Sequence, residues 1–581
     1  MKVLLTLLPY LRAHRGMILM GLACLVVSDG LSLVSPWILR YAIDGLGTGI
    51  TTAGLLTAAG LLVGIALVGG IARFGMRKLV IGASREIEFD LRERFFGKLT
   101  TLSFDYYNRV LTGDLMARAT NDLNAVRMVL GPGIMYSVNT LVLLSVGLTL
   151  MVILSWELTL VVLVPLPLIS LFMMRYGKVI HKRFESVQAQ FSDVTARAQE
   201  VFSGIRVVKS YAQEAPSARD FRELNEEYMR RNLSLVRING LLYPAIGFLA
   251  GIGSLLVLLV GGWLVIRDTV SLGTFVAFNA YLYMLIWPMI ALGWVVSIFQ
   301  RGAASMKRIN AVLDTQPTVA DGPNPVTPAV GGEIVFENVH FEYANRKGVP
   351  VLAGISLTIR PGETVAVVGP TGSGKTTLIN LVPRLFDPTE GRVLLNGRDL
   401  RDWSLDALRE RIGYVPQETF LFSRSVADNI ALGRPDAELA EIERMADLAS
   451  LSGDVVEFPD GFHTMVGERG VTLSGGQKQR TAIARALLRN PEVLILDDSL
   501  ASVDTRTEEA ILAGLRDYMK DRTTLLVAHR VSTVQLADRI LVLDNGRSTE
   551  QGTHEELLAR NGAYAELVRL QQLEEELEAT L

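Results

Sequence analysis

The octapeptide GPTGSGKT occupies positions 369–376 of a chain of 581 residues. It fits the pattern G-x-x-x-x-G-K-[ST], follows the apolar segment 364–368 and precedes the segment 377–385, whose pattern is helical. In a strand–loop–helix unit of this kind, backbone N–H groups surround phosphate oxygens at the positive end of the helix dipole. The sequence therefore predicts a nucleotide site, in which Lys375 reaches the β- and γ-phosphates and the Thr376 hydroxyl binds Mg²⁺.

Several segments around this loop have the length and apolar composition of β-strands, and amphipathic helical segments lie between several of them. The predicted strands are 333–343, 363–368, 393–395, 493–496, 524–528 and 540–543. Strands that alternate with helices are typical of an α/β domain with a largely parallel central sheet. The soluble half is therefore predicted to be a single α/β P-loop domain.

Two further motifs of this domain carry chemistry. The strand 493–496 ends in Asp497, which is expected to hold Mg²⁺ through water, and Asp498 follows where a glutamate would polarise the attacking water. The run LSGGQ at 473–477 precedes a helix, and the start of that helix is a second anion-binding terminus. The run lies about 20 residues before Asp497 and about 100 residues after the loop, which makes the set specific.

The N-terminal half has a membrane composition. Hydrophobic residues make up 49% of the chain and charged residues 20%, against roughly 25% charged in soluble domains. Spanning a bilayer takes roughly 20 apolar residues, and six segments qualify: 17–39, 53–71, 131–154, 158–174, 241–266 and 272–299. The predicted fold is thus a membrane α-helical bundle of six transmembrane helices fused to the soluble domain. The net charge of −3 excludes a strongly basic nucleic-acid-binding protein, and the single cysteine, Cys24, excludes an intrachain disulfide.

Lysine and arginine predict the orientation of the spans. The two long connections, 73–127 and 175–237, hold 10 and 12 of these residues, whereas the other connections hold one or none. The positive-inside rule places the long connections and both termini in the cytoplasm. Both connections keep a helical pattern, so the spans are expected to continue as long cytoplasmic helices, interrupted by turns at 117–123 and 210–214.

Asp29 lies near the middle of the first span. An acid at that depth costs roughly 2.5–3.5 kcal/mol on insertion scales and usually faces an interior cavity. Two interpretations stay open. Asp29 takes part in substrate or proton binding, or it lines a wet cavity or is hydrogen-bonded to a neighbouring helix without contacting substrate.

The acidic C-terminal tail has an apolar stripe. Leucines at 567, 570, 573, 577 and 581 recur at spacings of three and four, which predicts an amphipathic helix. Two interpretations remain open here as well. The helix pairs with its counterpart across a dimer, or it packs on its own domain or frays at its end.

Taken together, these motifs resemble the ATP-binding cassette (ABC) exporters of the half-transporter type, in which a six-span membrane domain is fused to one nucleotide-binding domain. The resemblance covers nearly the whole chain. It implies a transmembrane domain at 1–308, a linker at 309–332, a nucleotide-binding domain at 333–566 and a C-terminal amphipathic helix at 567–581. It also implies multi-pass insertion in the cell membrane and no nucleic-acid partner.

The resemblance assigns roles to further residues. Tyr343 corresponds to the aromatic residue that stacks on adenine, Gln417 to the glutamine that contacts Mg²⁺ and senses the membrane domain, and His529 to the histidine that contacts the γ-phosphate. Segment 501–504 corresponds to the loop between paired sites, segment 466–470 to a loop that touches intracellular loops, and the interruptions at 117–123 and 210–214 to coupling helices that dock on nucleotide-binding domains. The catalytic residues it implies are Asp498, His529 and Gln417, and the Mg²⁺ ligands are Thr376, Gln417 and Asp497. The ATP-binding residues it implies are Tyr343, Gly369, Thr371, Gly372, Ser373, Gly374, Lys375, Thr376, Thr377, Gln417, Ser474, Gly475, Gly476, Gln477, Asp497 and His529.

One residue departs from the family pattern. Asp498 replaces the catalytic glutamate, and its side chain is one methylene shorter, which withdraws the carboxylate by about 1 Å and can cost about 10²-fold in rate. Because the family closes each nucleotide between one subunit's P-loop and the other's LSGGQ-type motif, dimerisation is implied. The sequence therefore predicts one subunit of a heterodimer whose own ATP site is hydrolytically impaired, as in heterodimeric bacterial multidrug exporters.

The expected function is ATP-driven export by alternating access, with ATPase activity and with ATP and Mg²⁺ as cofactors. Spans rich in Leu, Val, Ala and Gly with few charges suit amphipathic or hydrophobic cargo such as drugs, lipids or peptides. A homodimeric lipid flippase is the alternative, and an ATP-gated channel or regulatory subunit is a further one.

Overall fold

The computed structural model describes residues 2–322, 325–326, 331–346, 348–467, 470 and 473–580. The chain folds as two compact units. The first comprises Met1–Leu99 with Gly113–Asp314, and the second comprises Thr100–Thr112 with Thr315–Leu581.

Residues 2–314 are mostly helical. A short 3₁₀ turn, Lys2–Leu7, precedes the first helix, and the helices are α1 (Leu8–Ala13), α2 (Arg15–Thr48), α3 (Thr52–Thr101), α4 (Phe104–Tyr107), α5 (Thr112–Ala117), α6 (Leu123–Met128), α7 (Ile134–Leu154), α8 (Trp156–Val162), α9 (Pro165–Ser203), α10 (Ile205–Ser210), α11 (Glu214–Leu256), α12 (Gly262–Ile266) and α13 (Leu272–Leu313). Three π-helical turns, Arg118–Asp122, Val129–Gly133 and Val257–Gly261, join α5 to α6, α6 to α7 and α11 to α12.

Six helical stretches among the described residues are long and apolar enough to cross a membrane. They are Arg15–Thr48, Thr52–Thr101, Thr112–Leu154, Trp156–Ser203, Glu214–Ile266 and Leu272–Leu313. Each contains one of the six segments predicted from the sequence, so that prediction is confirmed. Their lengths, from 34 to 53 residues, exceed the roughly 20 residues that a bilayer requires, which fits spans that continue beyond it.

The turn predicted at 117–123 is wrong, because the chain stays helical there. The polar residues that suggested a turn are satisfied by the helices: the Thr120 hydroxyl donates to the Met116 carbonyl oxygen at 2.8 Å, and Asp122 accepts from the Ser305 hydroxyl at 2.7 Å. Side-chain bonds of this kind allow threonine and aspartate within a helix. The predicted break at 210–214 does occur, since α10 ends at Ser210 and α11 begins at Glu214.

The second unit contains two sheets. Its strands are β1 (Ile334–Phe341), β2 (Leu352–Ile359), β3 (Thr364–Val368), β4 (Glu390–Leu395), β5 (Arg398–Asp399), β6 (Ile412–Val415), β7 (Val493–Asp497), β8 (Thr523–Val527), β9 (Arg539–Asp544) and β10 (Arg547–Gly552). The larger sheet has the order β10-β9-β3-β8-β7-β6, and its strands run parallel from β9 to β6. The smaller sheet is antiparallel with the order β2-β1-β4-β5. The α/β fold with a largely parallel central sheet is thus confirmed.

The helices of this unit connect and flank the strands. Two 3₁₀ turns, Leu400–Asp402 and Gly461–His463, also occur here. Besides α4, the helices of this unit are α14 (Lys375–Asn380), α15 (Leu405–Glu410), α16 (Val426–Ala431), α17 (Leu439–Leu448), α18 (Ser452–Val456), α19 (Gly475–Leu488), α20 (Thr505–Met519), α21 (Val531–Val534), α22 (His554–Arg560) and α23 (Ala563–Thr580). The helix predicted at 377–385 is shorter than expected, because α14 ends at Asn380 and Arg384 has a positive φ of 50°.

The central strand β3 shows how the core forms. All five of its residues are buried, and successive side chains point to opposite faces. Ala366 and Val368 join the core on the side of α17, α19 and α20, whereas Val365 and Val367 join the core shared with the smaller sheet. Burial on both faces explains the continuous apolar run of this strand.

Segment Thr100–Thr112 belongs to the second unit. The Phe104 ring meets the Phe386 ring edge to face at 5.7 Å, and the Ser103 hydroxyl accepts from the Val319 N–H at 2.8 Å. Val319 is buried, so this part of the predicted linker is anchored. Linker residues 323–324 and 327–330 lie outside the described residues.

Candidate nucleotide-binding site

Four adjacent parallel strands deliver the predicted site residues to one edge of the larger sheet. In the order β3, β8, β7 and β6, these strands are followed by the phosphate loop, His529, Asp498 and Gln417. Parallel strands of an open α/β sheet bind ligands beyond their carboxyl ends. Residues that are more than 150 positions apart in sequence therefore meet at one site.

A cavity of about 540 Å³ lies at this edge, within the range typical of ligand sites. Its lining includes most of the predicted nucleotide residues: Tyr343, Thr371, Gly372, Gly374, Lys375, Thr376, Thr377, Gln417, Asp497, Asp498 and His529. Gly369 and Ser373 belong to the loop but do not line the cavity, and neither do Ser474, Gly475, Gly476 and Gln477.

Backbone geometry explains the loop's glycines. Gly374 has a φ of +101°, and a Cβ there would lie 2.9 Å from the Val351 carbonyl oxygen. Gly372 has a φ of +84°, with open space around it. Glycine adopts such angles at no steric cost, so the loop can turn sharply into α14.

Lys375 lies buried in the loop. Its Nζ donates to the carbonyl oxygens of Gly369, at 2.8 Å, and Pro370, at 3.0 Å. Burial lowers the pKa of Lys375, while Asp498 and Asp497 favour its charged form. Charged phosphate oxygens bind an ammonium group more strongly than neutral carbonyls do, so this amine is suited to a phosphate ligand.

The residues around Asp497 fit a divalent cation. The Thr376 hydroxyl donates to Asp497 Oδ1 at 3.2 Å, and Asp497 Oδ2 is buried with no hydrogen-bond partner among the described residues. Burial raises the pKa of Asp497 to about 6, and Asp498 adds to this effect while Thr376 and Lys375 oppose it. A buried carboxylate oxygen without a donor is costly, and a Mg²⁺ ion held mainly by phosphates and one carboxylate would satisfy it.

Asp498 has an unusual backbone conformation. Its φ is +46°, in the left-handed region that non-glycine residues adopt rarely and that aspartate tolerates better than most. Its N–H donates to the Val527 carbonyl oxygen at 3.0 Å, and Gln417 Nε2 lies 3.4 Å from its Oδ2. Asp498 is therefore held between β8 and Gln417, with its carboxylate facing the cavity.

The LSGGQ run forms the start of α19. The Ser474 hydroxyl accepts from the Gln477 N–H at 3.2 Å, and Gln477 Oε1 accepts from the Ser474 N–H at 2.9 Å. This reciprocal capping box satisfies two N–H groups at the helix terminus. A Cβ on Gly476 would lie 3.1 Å from the Ser502 carbonyl oxygen, so the run packs against segment 501–504. The predicted motif at 466–470 includes Glu468 and Arg469, which lie outside the described residues.

Two residues that sequence reasoning missed also line the cavity. Asp105 and Asn108 belong to segment Thr100–Thr112. The sequence predicted a coupling helix at 117–123, but the segment that packs with the nucleotide-binding residues contains α4. The cluster FDYYN at 104–108 was the available signal, because it places aromatic and polar residues between two long apolar helices.

An ion pair with a buried carboxylate behind the site was also missed. Glu508 is 2% exposed and accepts hydrogen bonds from Arg530 and Thr533. Arg530 follows His529 directly and also donates to the Val503 carbonyl oxygen at 3.2 Å. The pair therefore connects the loop that carries His529 to the segment 501–504.

Replacing Glu508 with glutamine should lower kcat for the nucleotide hydrolysis expected at this site about tenfold, the effect of one charged hydrogen bond. The Kd for ATP should stay within about twofold of the original value, because Glu508 does not line the cavity. Steady-state kinetics and nucleotide titration measure the two quantities. Glu509→Gln, an exposed neighbour on α20, is the control, and an equal loss of nucleotide affinity would contradict a positioning role.

Comparison with protein families gives two matches along the chain. The model described as ABC transporter transmembrane region matches residues 18–289, and the model described as ABC transporter matches residues 352–501. The first covers most of the six spans, and the second covers the phosphate loop, the LSGGQ run and the Asp497–Asp498 pair.

Full-length relatives show the same arrangement. The chain is 41% identical over 555 residues to the probable multidrug resistance ABC transporter ATP-binding/permease protein YheI of Bacillus subtilis, with 95% of each chain covered. It is 35% identical to the ATP-dependent lipid A-core flippase of Syntrophus aciditrophicus, over 98% of this chain and 95% of the relative. Among solved structures, a bacterial Atm1-family ABC exporter with ATP bound matches with a TM-score of 0.77 and 29% identity, over 97% of this chain and 98% of that one.

Proposed function

The chain belongs to the ABC exporters as a half-transporter, and we propose that it couples ATP hydrolysis to the export of amphipathic or hydrophobic compounds. The observation that carries this proposal is that one chain contains both six membrane-length helices and a nucleotide cavity with the phosphate loop, Asp497 and His529. Drugs and lipids are the proposed substrate classes, since relatives named for each are similar to this chain over nearly its full length.

In the proposed mechanism, the loop and Lys375 hold the phosphates of ATP, and Tyr343 lies against the base. Thr376, Gln417 and Asp497 would hold Mg²⁺, which would supply neutralisation of the phosphate charge. Asp498 orients water and His529 contacts the γ-phosphate. Ser474, Gly475, Gly476 and Gln477 serve the nucleotide of the second subunit, because they lie outside this chain's own cavity.

ABC half-transporters work as dimers, and we propose that the partner here is a different half-transporter. The LSGGQ run is complete, so it can close a partner's site, whereas Asp498 stands where a glutamate is expected. A homodimer would carry Asp498 twice. A homodimeric lipid flippase remains the second candidate, favoured by the flippase relative. The same proposal includes the cytoplasmic location of both termini. It also includes the domain bounds 1–308, 309–332, 333–566 and 567–581.

Uptake into inverted membrane vesicles tests the function. Vesicles that contain the chain and its partner should accumulate amphipathic drugs or labelled lipids only when ATP and Mg²⁺ are present. ATPase stimulation by the same panel should rank the compounds in the same order. An ohmic conductance without accumulation would instead indicate an ATP-gated channel.

The C-terminal helix offers a prediction about the dimer. Val568 is buried against its own domain, and Gln571 Oε1 accepts from the Val531 N–H at 2.9 Å, whereas Leu570 and Leu573 are each 55% exposed. The helix therefore packs on its own domain and still presents part of the predicted stripe. The Leu577 side chain and Leu581 lie outside the described residues.

Two variants test this pairing: deletion of residues 572–581, and the double substitution Leu570→Glu with Leu573→Glu. Each should raise the dimer dissociation constant in detergent by about tenfold or more, because burying a leucine contributes about 1.5–3 kcal/mol. Analytical ultracentrifugation measures the constant. Gln572→Glu, an exposed change between the two leucines, is the matched control. Unchanged dissociation in both variants would show that the stripe does not pair across the dimer.

A further inference from the structure

A second cavity, of about 390 Å³, lies within the membrane unit between α2, α3, α7 and α13. Its polar lining includes Asp29, Arg73, Arg77 and Asn139, and its apolar lining includes Trp287. Arg73 stands 21 residues after the start of α3, which is about 32 Å along the helix and close to the thickness of a bilayer's hydrocarbon core. Measured from the start of α3, Arg73 therefore lies near the membrane boundary that the proposed orientation makes cytoplasmic.

The charges of this cavity differ in how they are satisfied. Asp29 is 5% exposed and accepts a hydrogen bond from Asn139 Nδ2 at 2.7 Å. Arg73 and Arg77 are exposed to the cavity, and within the described part of the chain neither makes a hydrogen bond or an ion pair. The Asp29 carboxylate is thus hydrogen-bonded to a neighbouring helix and electrostatically attracted to Arg73, whereas neither guanidinium group is neutralised by a direct contact.

The geometry of α3 places both arginines on the same side. They are four residues apart, about one helical turn, so their side chains lie one above the other about 6 Å apart along the axis. Ser28 Oγ donates to the Gly69 carbonyl oxygen at 3.2 Å, which places Asp29 one turn deeper in the membrane than Arg73. A ligand that entered from the membrane boundary would meet the arginines before the acid.

We propose that Arg73 and Arg77 bind the anionic group of an amphipathic compound whose apolar body lies against Trp287, Met76 and Met284. The cavity is lined by two guanidinium groups and one carboxylate, and this excess of positive charge favours an anion over a cation. Ionisable groups that line a cavity of a membrane domain without a direct partner mark binding sites, and guanidinium groups suit phosphate, sulfonate or carboxylate. This proposal rests on the proposed export function and specifies that the exported compounds are anionic. The anion is supplied by a soluble amphiphile or by an anionic lipid.

Trp287 supplies a direct readout of binding. The full chain is reconstituted in phosphatidylcholine nanodiscs without ATP and titrated with ω-bromoundecyl sulfonate or ω-bromoundecyl trimethylammonium, whose bromine quenches tryptophan at close range. The quenching assigned to the cavity is the part that Trp287→Phe removes. The sulfonate should quench at a concentration about tenfold below that of the trimethylammonium compound, as expected for charge-assisted contacts.

The combined Arg73→Gln and Arg77→Gln variant should lose this preference, whereas Lys78→Gln, an exposed lysine on the same helix that does not line the cavity, should keep it. Equal quenching by the two compounds, or a sulfonate preference that survives loss of both arginines, would overturn the proposal. Nanodiscs that contain phosphatidylglycerol identify the source of the anion. If this lipid competes with the sulfonate, the site binds an anionic lipid; if it does not compete, the site binds a soluble amphiphile. Because no ATP is used, charge-selective binding without ATP-driven uptake would refute the export function and leave this site intact.

Discussion

Replacing Lys375 with alanine should reduce ATP affinity at this chain's own site by about 100-fold, which corresponds to about 2.7 kcal/mol. Lys375 is the one ammonium group among the residues that line the described cavity, and its Nζ lies within the loop that would surround the phosphates. Charge-assisted hydrogen bonds to phosphate are worth roughly twice neutral ones. The loss is therefore expected in binding as well as in turnover.

Titration with a fluorescent ATP analogue measures this effect on the full chain in detergent or nanodiscs. Lys520→Ala is the matched control, because Lys520 is an exposed lysine of the same domain that pairs with Asp517 at 2.7 Å. Affinity should be unchanged in this control. If Lys375→Ala also bound the analogue with unchanged affinity, the assignment of the cavity to nucleotide phosphates would be wrong.

Local patterns account for the parts of the fold that the sequence predicted. The strand Thr364–Val368, the glycines after it and the apolar strand that ends at Asp497 are each defined by a few neighbouring residues. Apolar runs of membrane length are local signals as well. These features were predicted because no distant contact is needed to specify them.

The parts that sequence reasoning missed depend on contacts between distant residues. Strand Arg398–Asp399 is too short and too polar to be predicted, and it exists because it pairs with β4. Thr120 and Asp122 suggested a turn because their partners on neighbouring turns and helices were unknown. Glu508 could not be connected with Arg530 from the sequence, since the two residues are 22 positions apart and meet only where α20 approaches the loop after β8.

Asp498 combines a predictable identity with an unpredictable conformation. The sequence showed that the residue after Asp497 is an aspartate, and this motivated the proposal of an impaired site. The φ of +46° and the proximity of Gln417 came from the structure. Both bear on function, because they fix the direction from which a shorter carboxylate approaches the cavity.

Replacing Asp498 with glutamate should raise the ATPase rate of the purified chain by about 10²-fold, because the added methylene advances the carboxylate by about 1 Å. Asp498→Asn should change the slow rate of the original chain by less than about twofold, since little catalysis is lost with an ineffective base. Release of inorganic phosphate under saturating ATP measures both rates. The gain is expected in kcat, since the loop that binds ATP is unchanged.

The assembled heterodimer gives the sharper form of this test. Neutralising the partner's glutamate should nearly abolish ATP hydrolysis, whereas Asp498→Asn should leave it almost intact, because only the partner's site turns over rapidly. Asp497→Asn is the matched control, because it changes the adjacent carboxylate. This substitution removes the carboxylate beside Thr376 that fits Mg²⁺ and should weaken nucleotide binding at this chain's site. A stable homodimer with rapid ATP hydrolysis that Asp498→Asn abolishes would disprove the impaired site and leave the homodimeric exporter as the correct assignment.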